Sequence, residues 1–115
     1  MTDVINSVTM KGSPLTLLGS QVTIGQSAPD ANLVANDLSS FQLGKLKGSR
    51  VIISVVPSLD TPVCDVQTRR FNEEAAKLGV DTRVLTISMD LPFAQKRWCA
   101  AADSTNIITL SDYKE

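Results

Sequence analysis

The 115-residue sequence contains no histidine and only two cysteines, Cys64 and Cys99. Without histidine there is no Cys-His or Ser-His dyad, so a nucleophile must be activated by backbone amides, hydroxyls or cations. Two cysteines without histidine also fall short of a structural zinc site, and no metal or other cofactor is expected. An excess of either charge is missing too. Eleven Lys and Arg against twelve Asp and Glu leave a net −1, which gives no basis for binding nucleic acid or an anionic membrane surface. No apolar run approaches the roughly 18 residues of a membrane span, and the start MTDVINSVTM has no apolar signal core. A cytoplasmic protein is therefore expected, in which a permanent structural disulfide is out of place. Repeats, low-complexity segments and linkers are absent, so residues 1–115 are expected to form a single domain with a modest core.

What is present is concentrated in residues 51–78, VIISVVPSLDTPVCDVQTRRFNEEAAKL. Residues 51–56 are apolar except for Ser54 and mostly β-branched, the pattern of a strand buried on both faces. Pro57 ends the strand because it has no N–H to offer a ladder. From Thr61 onward the spacing turns helical: Val63, Val66 or Gln67, Phe71, Ala75 and Leu78 predict one packed face. Thr61 suits the N-cap, Pro62 the first helical position and Gly79 the stop. Cys64 then falls third in the helix, just past the carboxyl end of a strand.

That position has a chemical meaning. The thiolate is the nucleophilic form, and unpaired N–H groups with the positive end of the helix dipole favour the anion. Free cysteine is also among the most buried residue types, so a small packed side chain is the competing reading. Helix placement alone does not make a fast nucleophile. A thiol of pKa about 8.5 is roughly 3% thiolate at pH 7, and one of about 6 is roughly 90%. A Brønsted slope near 0.45 gives back roughly tenfold of that gain. Groups that stabilise the charge developing in the substrate are therefore also required, namely Thr61, first-turn N–H groups and a nearby cation.

The rest of the chain frames this element. Residues 8–11 and 15–18 flank Gly12-Ser13-Pro14 and predict an amphipathic N-terminal hairpin. Residues 19–48 read as loops joining short strands around 31–35 and 41–43. Residues 83–89 predict a strand parallel to 51–56, which completes a right-handed βαβ crossover. A second helix is expected over 92–102, with Asp90 as N-cap and Ala94, Trp98 and Ala101 on one face. Cys99 lies late in it. Residues 107–110 predict a short third strand.

The spacing Pro57-x-x-x-Thr61-x-x-Cys64 resembles the active-site motif of the peroxiredoxins. The segments SVVPSLDTPVCDVQTRRFNEEA and ISMDLPFAQKRWC resemble specifically the thiol peroxidase branch, the atypical two-cysteine subgroup. The resemblance runs over nearly the whole chain. It implies an α/β, thioredoxin-like fold with an N-terminal β-hairpin, and reduction of hydrogen peroxide and organic hydroperoxides. By residue, it makes Cys64 the peroxidatic cysteine, Thr61 the hydroxyl that hydrogen-bonds thiolate and peroxide, and Pro57 the shield of the pocket. Cys99 becomes the resolving cysteine, closing an intrachain disulfide with Cys64 that thioredoxin reduces. Cα atoms of a disulfide lie within roughly 7 Å, so local unwinding of one or both helices is expected between the reduced and disulfide states.

The family fold continues into further strands, one carrying an arginine, and a closing helix, which find no counterpart before Glu115. The C-terminal strands and helix are therefore expected to be missing, and Arg69, Arg70 and Arg97 are expected to be solvated. An unfinished sheet leaves an open edge that invites a homodimer. Two other readings stay open: a catalytically impaired fragment acting as a folding or assembly module, and a redox sensor that forms the disulfide without turnover.

Overall fold

The computed structural model describes residues 4–114. Among these residues the architecture is two sheets, two α-helices and one 3₁₀ turn. Strands β1 (Val4–Met10) and β2 (Ser13–Leu18) form an antiparallel hairpin that is a sheet of its own. Its turn is Lys11-Gly12, both at positive φ (49° and 86°), the pairing of backbone signs whose twist matches the flanking strands. The turn thus lies earlier than Gly12-Ser13-Pro14, and Ser13 and Pro14 pair as strand residues with Met10 and Thr9. Val8, Met10, Leu15, Leu17 and Leu18 are all exposed.

The main sheet has the order β4-β3-β7-β6-β5. β3 (Asn32–Val34) and β4 (Ser40–Gln42) form a short antiparallel pair, followed by a 3₁₀ turn at Leu43–Leu46. β5 (Arg50–Val55), α1 (Pro62–Ala75) and β6 (Thr82–Ser88) form the expected parallel crossover, and α2 (Pro92–Ala102) leads to β7 (Ile108–Ser111), parallel to β6. Leu33, Leu85 and Leu110 form the buried cluster across β3, β6 and β7, with Phe41, Leu43 and Leu46 packed against it. Burying each such leucine contributes about 1.5–3 kcal/mol.

The doubly buried strand is β6, not β5. Val84, Leu85 and Thr86 are consecutive and all buried, whereas Ile53 is 46% and Val55 72% exposed. The reason is position. β5 pairs only with β6 and stands at the sheet edge, and α1 packs over β6, reaching β5 through a hydrogen bond from Gln67 Nε2 to Ser54 Oγ (2.9 Å).

Both helices are rotated from their expected faces. Val63, Val66 and Leu78 are exposed, and α1 turns inward Cys64, Thr68, Phe71 and Ala75, with Thr68 fully buried. In α2, Ala94 and Ala101 are exposed, while Pro92 and Gln95 are buried. Gln95 explains the rotation, since its Nε2 donates to Ser88 Oγ (2.9 Å) and to the Leu110 carbonyl (2.8 Å), tying α2 across β6 and β7. A polar residue with two buried acceptors outcompetes an alanine stripe for the inner face.

Candidate active site

β5 ends with Val56 still donating its N–H to the Ile87 carbonyl (3.0 Å), and the chain then leaves the sheet at Pro57. The loop between Pro57 and Thr61 is fixed from outside by Asp90. One carboxylate oxygen accepts from Ser58 Oγ (2.6 Å), and the other accepts from the Leu59 N–H (2.8 Å) and Ser88 Oγ (2.7 Å). The Asp90 carbonyl accepts from the Ser111 hydroxyl. Burial pushes the Asp90 carboxyl up, but the Ser58, Leu59 and Ser88 hydrogen bonds outweigh it and hold the group below its ordinary range. Asp90 therefore serves the loop, and the N-cap of α2 is Leu91.

Thr61 is the N-cap of α1, in extended conformation, and Pro62 opens the helix as expected. Its side chain does not cap: Thr61 Oγ1 donates to the Ser58 carbonyl (2.9 Å) and its own carbonyl accepts the Asp65 N–H (2.9 Å). Cys64 is third in the helix and half-buried, as a free thiol. It stands among first-turn N–H groups that have no partner within the helix. Pro57 is exposed, at the start of the loop. Beside the loop opens a cleft of about 630 Å³ between Leu59 and Asp60 on one side and Phe93, Arg97 and Trp98 of α2 on the other.

Cys99 is also a free, half-buried thiol, near the end of α2. Its Sγ lies 3.3 Å from Thr109 Oγ1 and accepts from Asn36 Nδ2 at 3.8 Å. The two cysteines are not bonded to each other. Their sequence neighbours are: Trp98 Nε1 donates to Asp65 Oδ1 at 2.7 Å. Arg69 Nε reaches both Asp65 oxygens (3.1 Å) and its guanidinium lies 5.5 Å from the Trp98 ring centroid. The Trp98 hydrogen bond, and then that of Arg69, holds the Asp65 carboxyl below its ordinary range. Arg69 is thus engaged with Asp65 and Trp98, and Arg70 pairs with Glu74 (3.1 Å). Arg97 borders the cleft.

Sequence reasoning missed Asp90, the Asp65–Trp98 link and the Asn36 and Thr109 partners of Cys99. Asp65 follows Cys64 and Trp98 precedes Cys99, so the link was adjacent to both candidate thiols. Asn36 and Thr109 left no local signal, being 63 and 10 residues from Cys99.

A redoxin family model matches residues 23–115. The chain belongs to the redoxin family. It is 58% identical over 110 residues to the thiol peroxidase of Halalkalibacterium halodurans, covering 95% of this chain and 65% of that protein. With the thiol peroxidase of Bacillus subtilis it shares 56% over 108 residues, 94% of this chain and 64% of the other. The chain thus spans about two thirds of the length of these relatives. Among solved structures, a peroxiredoxin-like protein from Aquifex aeolicus superposes with a TM-score of 0.87 at 41% identity, over 96% of this chain and 64% of the other. The thiol peroxidase from Chromobacterium violaceum, at 21% identity and a TM-score of 0.74 over 99% of this chain and 65% of the other, shares the fold. The redoxin chain is therefore α/β with a thioredoxin-like, peroxiredoxin fold, as its motifs implied. No helix among the described residues is long and apolar enough to cross a membrane.

Proposed function

We propose that this redoxin chain is a thiol-specific peroxidase that uses Cys64 as peroxidatic and Cys99 as resolving cysteine. The observation that carries the reading is the placement of Cys64. It is third in α1, directly after a loop whose Thr61 hydroxyl has its proton on the Ser58 carbonyl. An oxygen held this way has its lone pairs free to accept the O–H of a hydroperoxide, and the unpaired N–H groups of the first turn favour the thiolate. Thr61 thereby orients the peroxide. Pro57, exposed at the loop's start, would act as a shield only when the loop and the substrate close over Cys64.

Each step balances. The Cys64 thiolate attacks one oxygen of the hydroperoxide, the O–O bond breaks, and the alcohol or water leaves with the thiol's proton, which gives Cys64 sulfenic acid. The Cys99 sulfur then attacks the Cys64 sulfur, an S–S bond replaces the S–O bond, and water leaves. A dithiol reductant of the thioredoxin type returns both thiols by exchange and is itself oxidised to a disulfide. The relatives' shared name, thiol peroxidase, supports this cycle. A homodimer and a cytoplasmic location belong to the same reading. The dimer is supported by the outer edge of β5, which has no strand partner among the described residues.

One observation favours a second reading, a redox pair without turnover. The cation nearest to Cys64 in sequence, Arg69, is drawn to Asp65 and Trp98. Peroxide consumption with thioredoxin as reductant, for this chain, Cys64→Ser and Cys99→Ser, separates the two. Continuous consumption that both substitutions abolish supports the peroxidase. Consumption of a single equivalent with disulfide formation supports the redox pair, and no difference between the chain and Cys64→Ser rejects both. Sedimentation at micromolar concentration tests the dimer.

A further inference from the structure

Three segments distant in sequence converge on Cys99. They are the loop after β3 with Asn36, the strand β7 with Thr109, and α2 with the thiol itself. Their hydrogen bonds have a direction that can be worked out. Thr109 Oγ1 has one proton, which goes to Asn36 Oδ1 at 3.0 Å. The contact of 3.3 Å between Cys99 Sγ and Thr109 Oγ1 must then carry the thiol proton, S–H to O. Asn36 Nδ2 closes the circuit by donating to Cys99 Sγ at 3.8 Å. The result is a ring of three hydrogen bonds in which every member donates once and accepts once. Thr109 is buried, so water does not compete freely for its hydroxyl.

The ring is complete only while Cys99 is a protonated thiol docked in α2. A thiolate cannot donate to Thr109, and the hydroxyl would have to turn from Asn36 to face the sulfur. A departing Cys99 leaves Thr109 and Asn36 without it altogether. We infer that Asn36 and Thr109 are positioning residues that hold Cys99 in its docked thiol form and so restrain the resolving step. The inference rests on the reading of Cys99 as resolving cysteine. Cys99 must leave the ring before its sulfur can form an S–S bond with Cys64 and release water from the sulfenic acid. The ring therefore holds the second thiol withdrawn and sets how readily it leaves to meet the sulfenic acid.

The test uses the full chain and the variants Thr109→Val, Asn36→Ala and Thr109→Ser. Quenched-flow mixing with one equivalent of hydrogen peroxide, read by mass spectrometry, follows Cys64 sulfenic acid and the Cys64–Cys99 disulfide separately. Iodoacetamide labelling of Cys99 in the reduced protein gives a readout independent of peroxide. Thr109→Val and Asn36→Ala are expected to form the disulfide about fivefold faster and to label Cys99 about fivefold faster, the effect of losing roughly one net hydrogen bond. Cys64 oxidation should change by less than about twofold, because no hydrogen bond of the ring includes that thiol. Thr109→Ser, which keeps the hydroxyl, should behave as the parent. Unchanged disulfide formation and labelling in Thr109→Val and Asn36→Ala would overturn the ring's role. A parent chain that consumes peroxide but never forms the disulfide would instead strike the reading of Cys99 as resolving cysteine, and with it the claim on resolution.

Discussion

Cys64 is the third residue of the fourteen in α1, whereas Cys99 is the eighth of the eleven in α2. One thiol stands where helical N–H groups are unpaired, next to a loop pinned by Asp90. The other stands where carbonyls run out, inside a ring made by side chains of Asn36 and Thr109. No side chain among the described residues hydrogen-bonds Cys64. The difference matches the proposed division of labour. A nucleophile that must meet a small substrate benefits from free donors and an open approach. A thiol that must wait benefits from having its proton engaged.

Breaking the first site should have the largest effect. Thr61→Val keeps the shape of the side chain but removes the hydroxyl that bonds the Ser58 carbonyl. The rate of Cys64 oxidation is expected to fall about a hundredfold, as when one positioned polar group is lost from a charge-stabilising site. Stability should fall by only about 1 kcal/mol, one hydrogen bond. Stopped-flow peroxide reduction and urea unfolding on the same variant check both. Equal, small effects would show that the hydroxyl serves the loop and not the chemistry.

The next effect falls on what holds that site in place. Asp90→Ala removes the acceptor shared by Ser58, Leu59 and Ser88. The expected loss is about 2 kcal/mol, not the sum of three charged hydrogen bonds, because solvent still reaches part of the carboxylate. The pH dependence has a definite sign. The folded carboxyl titrates below its ordinary value of 3.8, so its contribution is present above that pH and is lost as the pH falls through the lower folded value. In Asp90→Asn this acid limb of the urea midpoint should flatten. A limb unchanged from the parent would mean that the loop does not depend on the charge.

How much of this was readable in advance differs between the two sites. The start of α1 was legible because its signals are local: a proline ending β5, a threonine at the N-cap and a proline at the first position. The parallel crossover to β6 followed from the same kind of pattern. The helix faces were not legible. Val63 and Val66 look like packing residues, yet α1 packs through Cys64, Thr68 and Phe71, and α2 packs through Gln95. Apolar spacing assumes that apolar residues decide the face, and here a glutamine with two buried acceptors decides it. β5 looked buried because its β-branched run carries no mark of its edge position. The surroundings of Cys99 come from three separated segments, which no spacing within α2 could disclose.

A smaller change sharpens the comparison where the two helices touch. Trp98→Phe keeps an aromatic ring for Arg69 but removes the Nε1–H that Asp65 accepts at 2.7 Å. The disulfide should form a few-fold faster, since the contact it removes lies beside both thiols and must yield when either helix end unwinds. The Asp65 carboxyl should move up toward its ordinary value, because its largest lowering influence is gone. Its stabilising effect in the parent exists above 3.8 and fades as the pH falls through the lower folded value. An NMR titration of Asp65 in both proteins measures the change. No upward movement would leave Arg69 as the group that lowers that carboxylate.

The smallest expected effect concerns how the helices end. α1 runs out toward Gly79, which adopts φ 90° without a Cβ to clash. α2 instead ends on Asp103 at φ 52° and ψ 44°, left-handed backbone on a residue that has a Cβ. The Ser104 N–H donates to the Cys99 carbonyl (2.9 Å) across this residue, so the closing turn of α2 is built on Cys99 itself. A left-handed aspartate there costs stability that glycine would not, and it costs it at the end of α2 nearest Cys99. Asp103→Gly should therefore raise stability by about 0.5–1 kcal/mol. Disulfide formation should slow by about twofold to fivefold, the same free energy expressed as a rate if the closing turn opens before the S–S bond forms. Urea unfolding and quenched-flow disulfide formation measure the two quantities. A gain in stability with no change in the disulfide rate would place the opening motion elsewhere, in the first turn of α1.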